Sequence, residues 1–125
     1  MRLSARTLVV REDAIAAGRV LVSADDADRP TGVACVAGDG EIVDLDDLFV
    51  DPPAIGRGAG RALFSASVEL ARGLGARTMT ILADPNAAPF YERMGARFVK
   101  MAPSDAIPGR ELPLYDYALG REEKA

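Results

Sequence analysis

The chain has 125 residues, of which 49% are hydrophobic and 27% are charged, and its formal net charge is −4. This is the size of one domain and the composition of an ordinary soluble globular protein, so we expect a single domain over residues 1–125. The acidic balance argues against a nucleic-acid partner. Because no apolar run is long enough to span a membrane and no signal peptide is evident, we expect a cytoplasmic protein without membrane contact.

The chain contains no histidine, and Cys35 is its single cysteine. Ser-His-Asp and Cys-His sites are therefore impossible, and a zinc ion would lack its usual ligands, so we expect no metal. Cys35 lies in an apolar run, where a thiol is more often a small buried hydrophobe than a nucleophile. Acid or base chemistry must therefore use a carboxylate, a tyrosine, the cysteine, a lysine or water.

The first part of the chain predicts mainly strands. Residues 7–10 look strand-like, whereas residues 12–17, with Gly18 behind them, favour a helix. Apolar runs separated by polar turns then predict an antiparallel meander of three strands. These strands are expected at residues 19–23, 31–37 and 41–50.

A helix and a parallel strand are predicted next. After Val50, a Pro-rich turn and a glycine cluster lead into a helix that begins at about Ala59 and is stopped by Gly73 and Gly75. Its apolar residues recur at three- and four-residue spacings, as in a helix packed on a sheet: Leu63, Ala66, Leu70 and Leu74. A strand at residues 77–83 follows, and this order predicts a right-handed crossover with parallel pairing.

The C-terminal part predicts a short helix and two strands. Asn86 is expected to N-cap a helix at residues 87–94, and the strands are expected at residues 98–101 and 111–119. The predicted fold class is therefore mixed α/β. An antiparallel N-terminal meander is followed by a parallel strand-helix-strand unit and a C-terminal strand pair.

The glycine cluster has the composition of an anion site. Gly56, Gly58 and Gly60 have no Cβ to hold a ligand off the backbone, and glycine tolerates positive φ. A helix beginning there adds its unpaired first-turn N–H groups and the positive end of its dipole. Arg57 and Arg61 could contact a phosphate on either side. Alternatively, the glycines form a tight turn and the arginines are solvated. The spacing matches neither a Walker loop nor a dinucleotide fingerprint.

Two segments resemble the GNAT superfamily of acyl-CoA-dependent N-acetyltransferases. They are LFVDPPAIGRGAGRALF at 48–64 and DPNAAPFYERMGARFV at 84–99. The resemblance implies a GNAT-like fold and transfer of an acetyl group from acetyl-CoA to a primary amine of a small molecule or peptide. It also implies that backbone N–H groups of one segment hold the coenzyme A pyrophosphate: Gly56, Arg57, Gly58, Ala59, Gly60 and Arg61.

The same resemblance implies roles for four further residues. Main-chain groups of Phe49 and Val50 would contact the pantetheine arm and the thioester, where two parallel strands splay apart. Asn86 matches an asparagine that contacts the cofactor. Tyr91 matches the usual candidate for protonating the departing thiolate, although it could instead pack between its helix and the sheet.

The attacking amine must be neutral. An α-amine with a pKa near 8 is about a tenth neutral at pH 7, whereas a lysine-type amine is not. Asp46 and Asp47, at the end of the strand that leads to the cradle, are candidate general bases acting directly or through water. The alternative is that both are solvated carboxylates at a strand end.

The sequence departs from the superfamily pattern in two places. Ile55 stands where the cradle pattern has Arg or Gln, and only about 18 residues precede the first readable strand. The superfamily uses a strand and one or two helices there to build the acceptor side. That side is therefore shortened, completed by a partner subunit, or lost. Exposed strand edges favour a homodimer.

Two other functions fit the sequence. A catalytically idle acyl-CoA-binding or regulatory module is favoured by the short N-terminal region. A general phosphate- or nucleotide-binding α/β domain is favoured if the match at 84–99 is a coincidence.

Overall fold

The computed structural model describes residues 9–15, 18–25, 27–51, 58–104 and 106–120, with side chains except at 9–15, 18 and 47. The strands in this part of the chain are β1 Val9–Ile15, β2 Gly18–Ala24, β3 Pro30–Ala37, β4 Ile42–Val50, β5 Thr78–Leu82, β6 Arg97–Pro103 and β7 Glu111–Ala118. The helices are α1 Ala59–Gly73 and α2 Ala88–Arg93.

All of these strands belong to one mixed sheet, in the order β1-β2-β3-β4-β5-β7-β6. Strands β4 and β5, which flank α1 in the chain, pair in parallel, and the other neighbouring strands pair antiparallel. The predicted fold class is therefore confirmed. No helix within the described ranges is long and apolar enough to cross a membrane.

The helix predicted at residues 12–17 is wrong over residues 12–15, the part of that segment that the structure describes. Strand β1 occupies most of that segment and pairs with β2 from Val9↔Ala24 to Ile15↔Gly18. A helix this short is unstable on its own, whereas a strand at this position gains a full ladder of hydrogen bonds along β2. Residues 16 and 17 of the predicted helix lie outside the described part of the chain.

The predicted N-cap at Asn86 is also wrong. The cap residue of α2 is Ala87, and it makes no side-chain capping bond. Asp84 organises the preceding turn instead: its Oδ1 accepts a 2.8 Å hydrogen bond from the Asn86 N–H, and its carbonyl accepts one of 2.8 Å from the Ala87 N–H. The side chain of Asn86 is exposed. An Asx turn at Asp84 has taken the position that the sequence assigned to the cap.

The core lies between the two helices and one face of the sheet. Helix α1 buries one stripe: Ala59, Leu63, Phe64, Ser67, Val68 and Ala71. The ring of Phe64 contacts Tyr91 of α2 at 6.1 Å and Tyr117 of β7 at 5.2 Å between centroids, so both helices pack on the same face. We call this the helix face. Among the described residues no helix covers the other side, which we call the open face.

Candidate active site

Strands β4 and β5 separate along their length. Their parallel ladder has three rungs: Ile42↔Thr78, Val43↔Met79 and Asp44↔Thr80. Beyond Asp44, β4 stays paired with β3 up to Val50, while β5 stays paired with β7 up to Leu82. The sheet therefore contains a wedge-shaped opening that is closed at Asp44 and Thr80 and open at Val50. Main-chain groups along such an edge can pair with an extended ligand.

A β-bulge lies inside the wedge. In the β3–β4 ladder Cys35 pairs with Asp47 and the next residue, Val36, pairs with Leu45, so Asp46 is the extra residue. The side chain of Asp46 is exposed. The side chain of Asp47 lies outside the described residues, and its predicted role stays a prediction.

The bulge changes which side of the sheet the following side chains of β4 face. Before it, Leu45 is buried in the core. After it, Leu48 and Val50 pack against the core, while Phe49 is 60% exposed. A one-residue shift reverses the direction of every following side chain, and the bulge supplies that shift. As a result, Phe49 projects onto the open face and Val50 faces the helices.

Helix α1 begins at the open end of the wedge with features that suit an anion. Its N-cap is Gly58, at φ 90° in the left-handed region, without a side-chain cap, and a Cβ there would meet nothing within 4 Å. The N–H of Ala62 donates to the Gly58 carbonyl, so the N–H groups of Ala59, Gly60 and Arg61 precede the first helical bond. The first turn has no acidic residue, and Arg61 is exposed. These groups fit a phosphate. Gly56 and Arg57 lie outside the described residues.

Gly60 has a different role from Gly58. A Cβ on Gly60 would lie 3.4 Å from Phe90 Cε1 and 3.5 Å from Val50 Cγ2, which is ordinary contact. The Cα of Gly60 therefore faces the protein's own side chains, and a Cβ there would not reach a ligand. The first turn of α1 packs at Gly60 against Phe90 of α2 and Val50 at the end of β4, so the three elements meet at the open end of the wedge.

Tyr91 is almost fully buried. It is 5% exposed, and its ring centroid lies 5.3 Å from that of Phe90 and 6.1 Å from that of Phe64. Tyr91 follows Phe90 on α2, and Phe90 is the residue of that helix that lies against Gly60. The ring packs as the alternative interpretation expected, and this packing does not test the predicted proton transfer.

Sequence reasoning missed two polar contacts. Thr80 Oγ1 donates a 2.8 Å hydrogen bond to Asp44 Oδ1 at the closed end of the wedge. The hydroxyl of Tyr115 donates a 2.5 Å bond to Glu92 on α2. This bond, together with burial, raises the pKa of Tyr115 to about 12. Both contacts join residues that are far apart in the chain, so no local sequence pattern indicates them.

Comparison with protein families identifies the chain as an acyl-CoA-dependent acyltransferase. Residues 5–106 match the family model described as the acetyltransferase (GNAT) domain. The chain therefore belongs to the GNAT family and is an acetyltransferase, and acetyl-CoA is the cofactor of that family. Comparison with curated proteins gives no match.

Solved structures share the fold. Nourseothricin acetyltransferase is similar with a TM-score of 0.75 and 21% identity, over 91% of this chain and 85% of that one. A GNAT family acetyltransferase from Elizabethkingia anophelis with acetyl-CoA bound has a TM-score of 0.76 and 10% identity, over 90% of this chain and 98% of that one. An aminoglycoside 6'-N-acetyltransferase complexed with coenzyme A has a TM-score of 0.73 and 12% identity, over 87% of this chain and 77% of that one.

Proposed function

We propose that this protein moves the acetyl group of acetyl-CoA to a primary amine of a small molecule or peptide by direct attack. The observation that carries the proposal is the alignment of two features. The wedge between β4 and β5 opens at Val50, and the glycine-capped N-terminus of α1 lies at that same end. One extended cofactor can therefore place its diphosphate on the helix and its arm along β4.

The proposed cofactor-binding residues are those that the sequence motifs imply. The N–H groups from Gly58 to Arg61, together with Gly56 and Arg57, bind the diphosphate. Main-chain groups of Phe49 and Val50 pair with the pantetheine arm, and the exposed Asn86 contacts it from the start of α2. Acetyl-CoA supplies a thioester carbonyl that an amine can attack.

We assign the proton transfers to one tyrosine and one carboxylate. Tyr91 on α2 gives a proton to the departing thiolate, and Asp46 or Asp47 at the bulge takes one from the amine. Transfer from a phenol with a pKa near 10 to a thiolate with one near 8.5 is uphill, so the benefit of Tyr91 is modest.

The acceptor side is formed by the open face. Strand β1 runs almost directly into β2, which supports an acceptor side without helices between these strands. Two structurally similar proteins are named for nourseothricin and aminoglycoside acetylation, which supports a small-molecule acceptor. A cytoplasmic location is part of this proposal.

We also propose a homodimer, because a second copy of the chain could cover exposed apolar side chains. Ile42 and Phe49 are 62% and 60% exposed. Light scattering at micromolar concentration tests this, and a monomer mass contradicts it.

Calorimetric titration of acetyl-CoA, followed by thiol release with a panel of amines, tests the main proposal. The panel contains cadaverine, glycinamide, kanamycin and a peptide with a free N-terminus. Binding with turnover supports the acetyltransferase. Binding without turnover supports the idle acyl-CoA-binding module, which the direct β1–β2 connection favours. Absence of binding overturns both.

A further inference from the structure

A strip of apolar side chains runs across the sheet from the open end of the wedge toward β2. Phe49 on β4 pairs with Val33 on β3, and Val33 pairs with Val22 on β2. Two residues further along these strands, Cys35 pairs with Val20. We call these five residues the apolar strip. None of them has a charged, hydroxyl or amide side chain.

The apolar strip lies on the open face. Leu21 and Ala34, which alternate with its members on β2 and β3, are buried in the core beneath the helices. Because successive side chains of a strand point to opposite faces, the strip points away from the helices. Phe49 is 60% exposed, and the other members of the strip are half-buried.

The other wall of the wedge is more polar. On the open face of β5, β7 and β6, one row consists of Thr80, Asp116 and Arg97, and the next row passes from Leu114 to Lys100. Arg97 and Asp116 are paired at 3.0 Å. The residues that alternate with this surface on β5 and β7 are buried in the core: Met79, Ile81 and Tyr115. This side therefore offers a shorter apolar surface, and Lys100 at its margin disfavours a cationic amine.

The apolar strip has the dimensions of a short alkyl chain or a ring. Neighbouring strands lie about 4.8 Å apart, so the strip extends about 10 Å from Phe49 to Val22. Apolar groups of a ligand gain free energy when such a surface removes them from water. A second ammonium or a hydroxyl at the same place would lose water without gaining a partner. The strip therefore favours a ligand with an apolar body.

The charges of the protein suit the cationic end of such a ligand. The chain has a formal net charge of −4, which attracts a cationic amine. Asp44 is half-buried and pairs with Ala37, which lies two residues beyond Cys35 on β3. Val43 and Leu45 on either side of Asp44 are buried in the core, so its carboxylate lies on the open face. A negative side chain thus lies beside the strip and at the wedge.

We propose that the acceptor is a primary amine with an apolar chain or ring, and that the apolar strip binds this group while the amine reaches the thioester at the wedge. This substrate class rests on the proposed function and narrows its acceptor. Val22, Val33 and Phe49 are then specificity-determining residues. A homodimer is compatible with this role only if the second copy leaves the strip open.

Acetylation of matched amines tests the substrate class. The series is butylamine, hexylamine and octylamine below their micelle concentrations. Cadaverine is the polar counterpart of hexylamine, with an ammonium in place of the terminal methyl group. We measure kcat/KM at about pH 9, below the lysine-type pKa near 10.4, where the neutral fraction of each amine is similar.

Val22→Thr and Val33→Thr test the strip itself. Threonine keeps the β-branched shape of valine and adds a hydroxyl, so the strands should still form. Val99→Thr is the control, because it makes the same change at an exposed valine of β6 outside the strip. Leu114→Thr tests the opposite wall of the wedge. Phe49 is left unchanged, since its main chain belongs to the proposed cofactor site. Calorimetry with acetyl-CoA, thermal melting and light scattering are recorded for every variant.

We expect kcat/KM to rise by about twofold per methylene from butylamine to octylamine, since full burial of a CH₂ gives about fourfold and the strip covers one side of the chain. Hexylamine should exceed cadaverine by about tenfold or more, because a second ammonium loses hydration on the strip. Each strip variant should lower kcat/KM for octylamine by about fivefold or more and leave cadaverine and acetyl-CoA affinity nearly unchanged. Val99→Thr and Leu114→Thr should keep the wild-type preference.

A rate that is flat or falls along the alkylamine series overturns the substrate class and leaves the proposed function standing. Turnover with kanamycin or the peptide but with no alkylamine has the same consequence. Equal losses for octylamine and cadaverine in the strip variants, or a lost preference in Leu114→Thr instead, also overturn it. A dimer that Val33→Thr converts to a monomer would show that a second copy covers the strip, and this too overturns it. A wild-type protein that binds acetyl-CoA but acetylates no amine at all overturns the proposed function itself.

Discussion

The hydroxyl of Tyr115 on β7 donates a 2.5 Å hydrogen bond to the carboxylate of Glu92 on α2. Helix α2 has six residues, which is too short to be stable alone, so contacts of this kind determine where it lies. Phe90 and Tyr91 are carried by the same helix. The bond therefore helps to fix both the open end of the wedge and the proposed general acid.

The first prediction concerns the titration of Tyr115. Its pKa is raised to about 12, chiefly by the bond to Glu92 and then by burial. Because the folded-state pKa lies above the unfolded value near 10, this stabilisation is complete below pH 10 and is lost as the pH rises from about 10 to 12. Ultraviolet titration should show a tyrosine that ionises near pH 12.

Glu92→Gln should move that late step back toward the ordinary tyrosine pKa. Glu69→Gln is the control, because Glu69 pairs with Arg72 on α1 and does not contact Tyr115. A late step that persists in Glu92→Gln would contradict the assigned cause.

The second prediction concerns the phosphate cradle. Gly58→Val should weaken acetyl-CoA binding by about tenfold or more, equivalent to the loss of one charge-assisted hydrogen bond, since its side chain enters the space in front of the α1 N-terminus. Gly75→Val is the matched control: its φ is 86° against 90° for Gly58, nothing lies within 4 Å of either Cβ, and it follows the other end of α1. Both changes should cost about 1–2 kcal/mol of backbone strain. Equal affinities in the two variants would argue against the cradle.

The third prediction concerns Tyr91. Tyr91→Phe should keep the ring packing on Phe64 and Phe90, so acetyl-CoA affinity should hold. Turnover should fall by about 10²-fold, the low end of the range for general acids. Tyr117→Phe removes a hydroxyl from another ring that packs on Phe64, and it should leave turnover unchanged. If Tyr91→Phe turns over at the wild-type rate, Tyr91 is only a packing residue.

The fourth prediction concerns stability near the wedge. A Cβ on Gly32 of β3 would lie 2.7 Å from Leu63 Cδ1 and 2.8 Å from the Phe49 carbonyl oxygen, so Gly32→Ala forces the backbone of β4 or helix α1 to move. Urea unfolding should show a loss of about 1–3 kcal/mol. At Gly73, the last residue of α1, nothing lies within 4 Å, and Gly73→Ala should gain about 0.5–1 kcal/mol. A stable Gly32→Ala protein would show that α1 is less tightly packed.

Much of the fold was predictable because local patterns in the sequence indicate it. Alternation and turn residues located β2 through β5, and the three- and four-residue spacing of Leu63 and its neighbours located α1. The glycine cluster also indicated the position of Gly58, because glycine tolerates the positive φ that the N-cap adopts. Asn86 was misassigned as a cap because Asp84, two residues earlier, competes for the same turn.

By itself, the sequence determined the order and type of most elements and the family of the protein, since hydrophobic period, glycine placement and motif spacing act over short stretches of chain. Only the tertiary structure decided that Val9–Ile15 is a strand, that Asp46 is a bulge, and that Asp44 meets Thr80 where the sheet divides. Those outcomes depend on hydrogen bonds between neighbouring strands, and the strands of Asp44 and Thr80 are separated in the chain by helix α1. A ladder's register is fixed by the whole sheet and not by the residues within one strand.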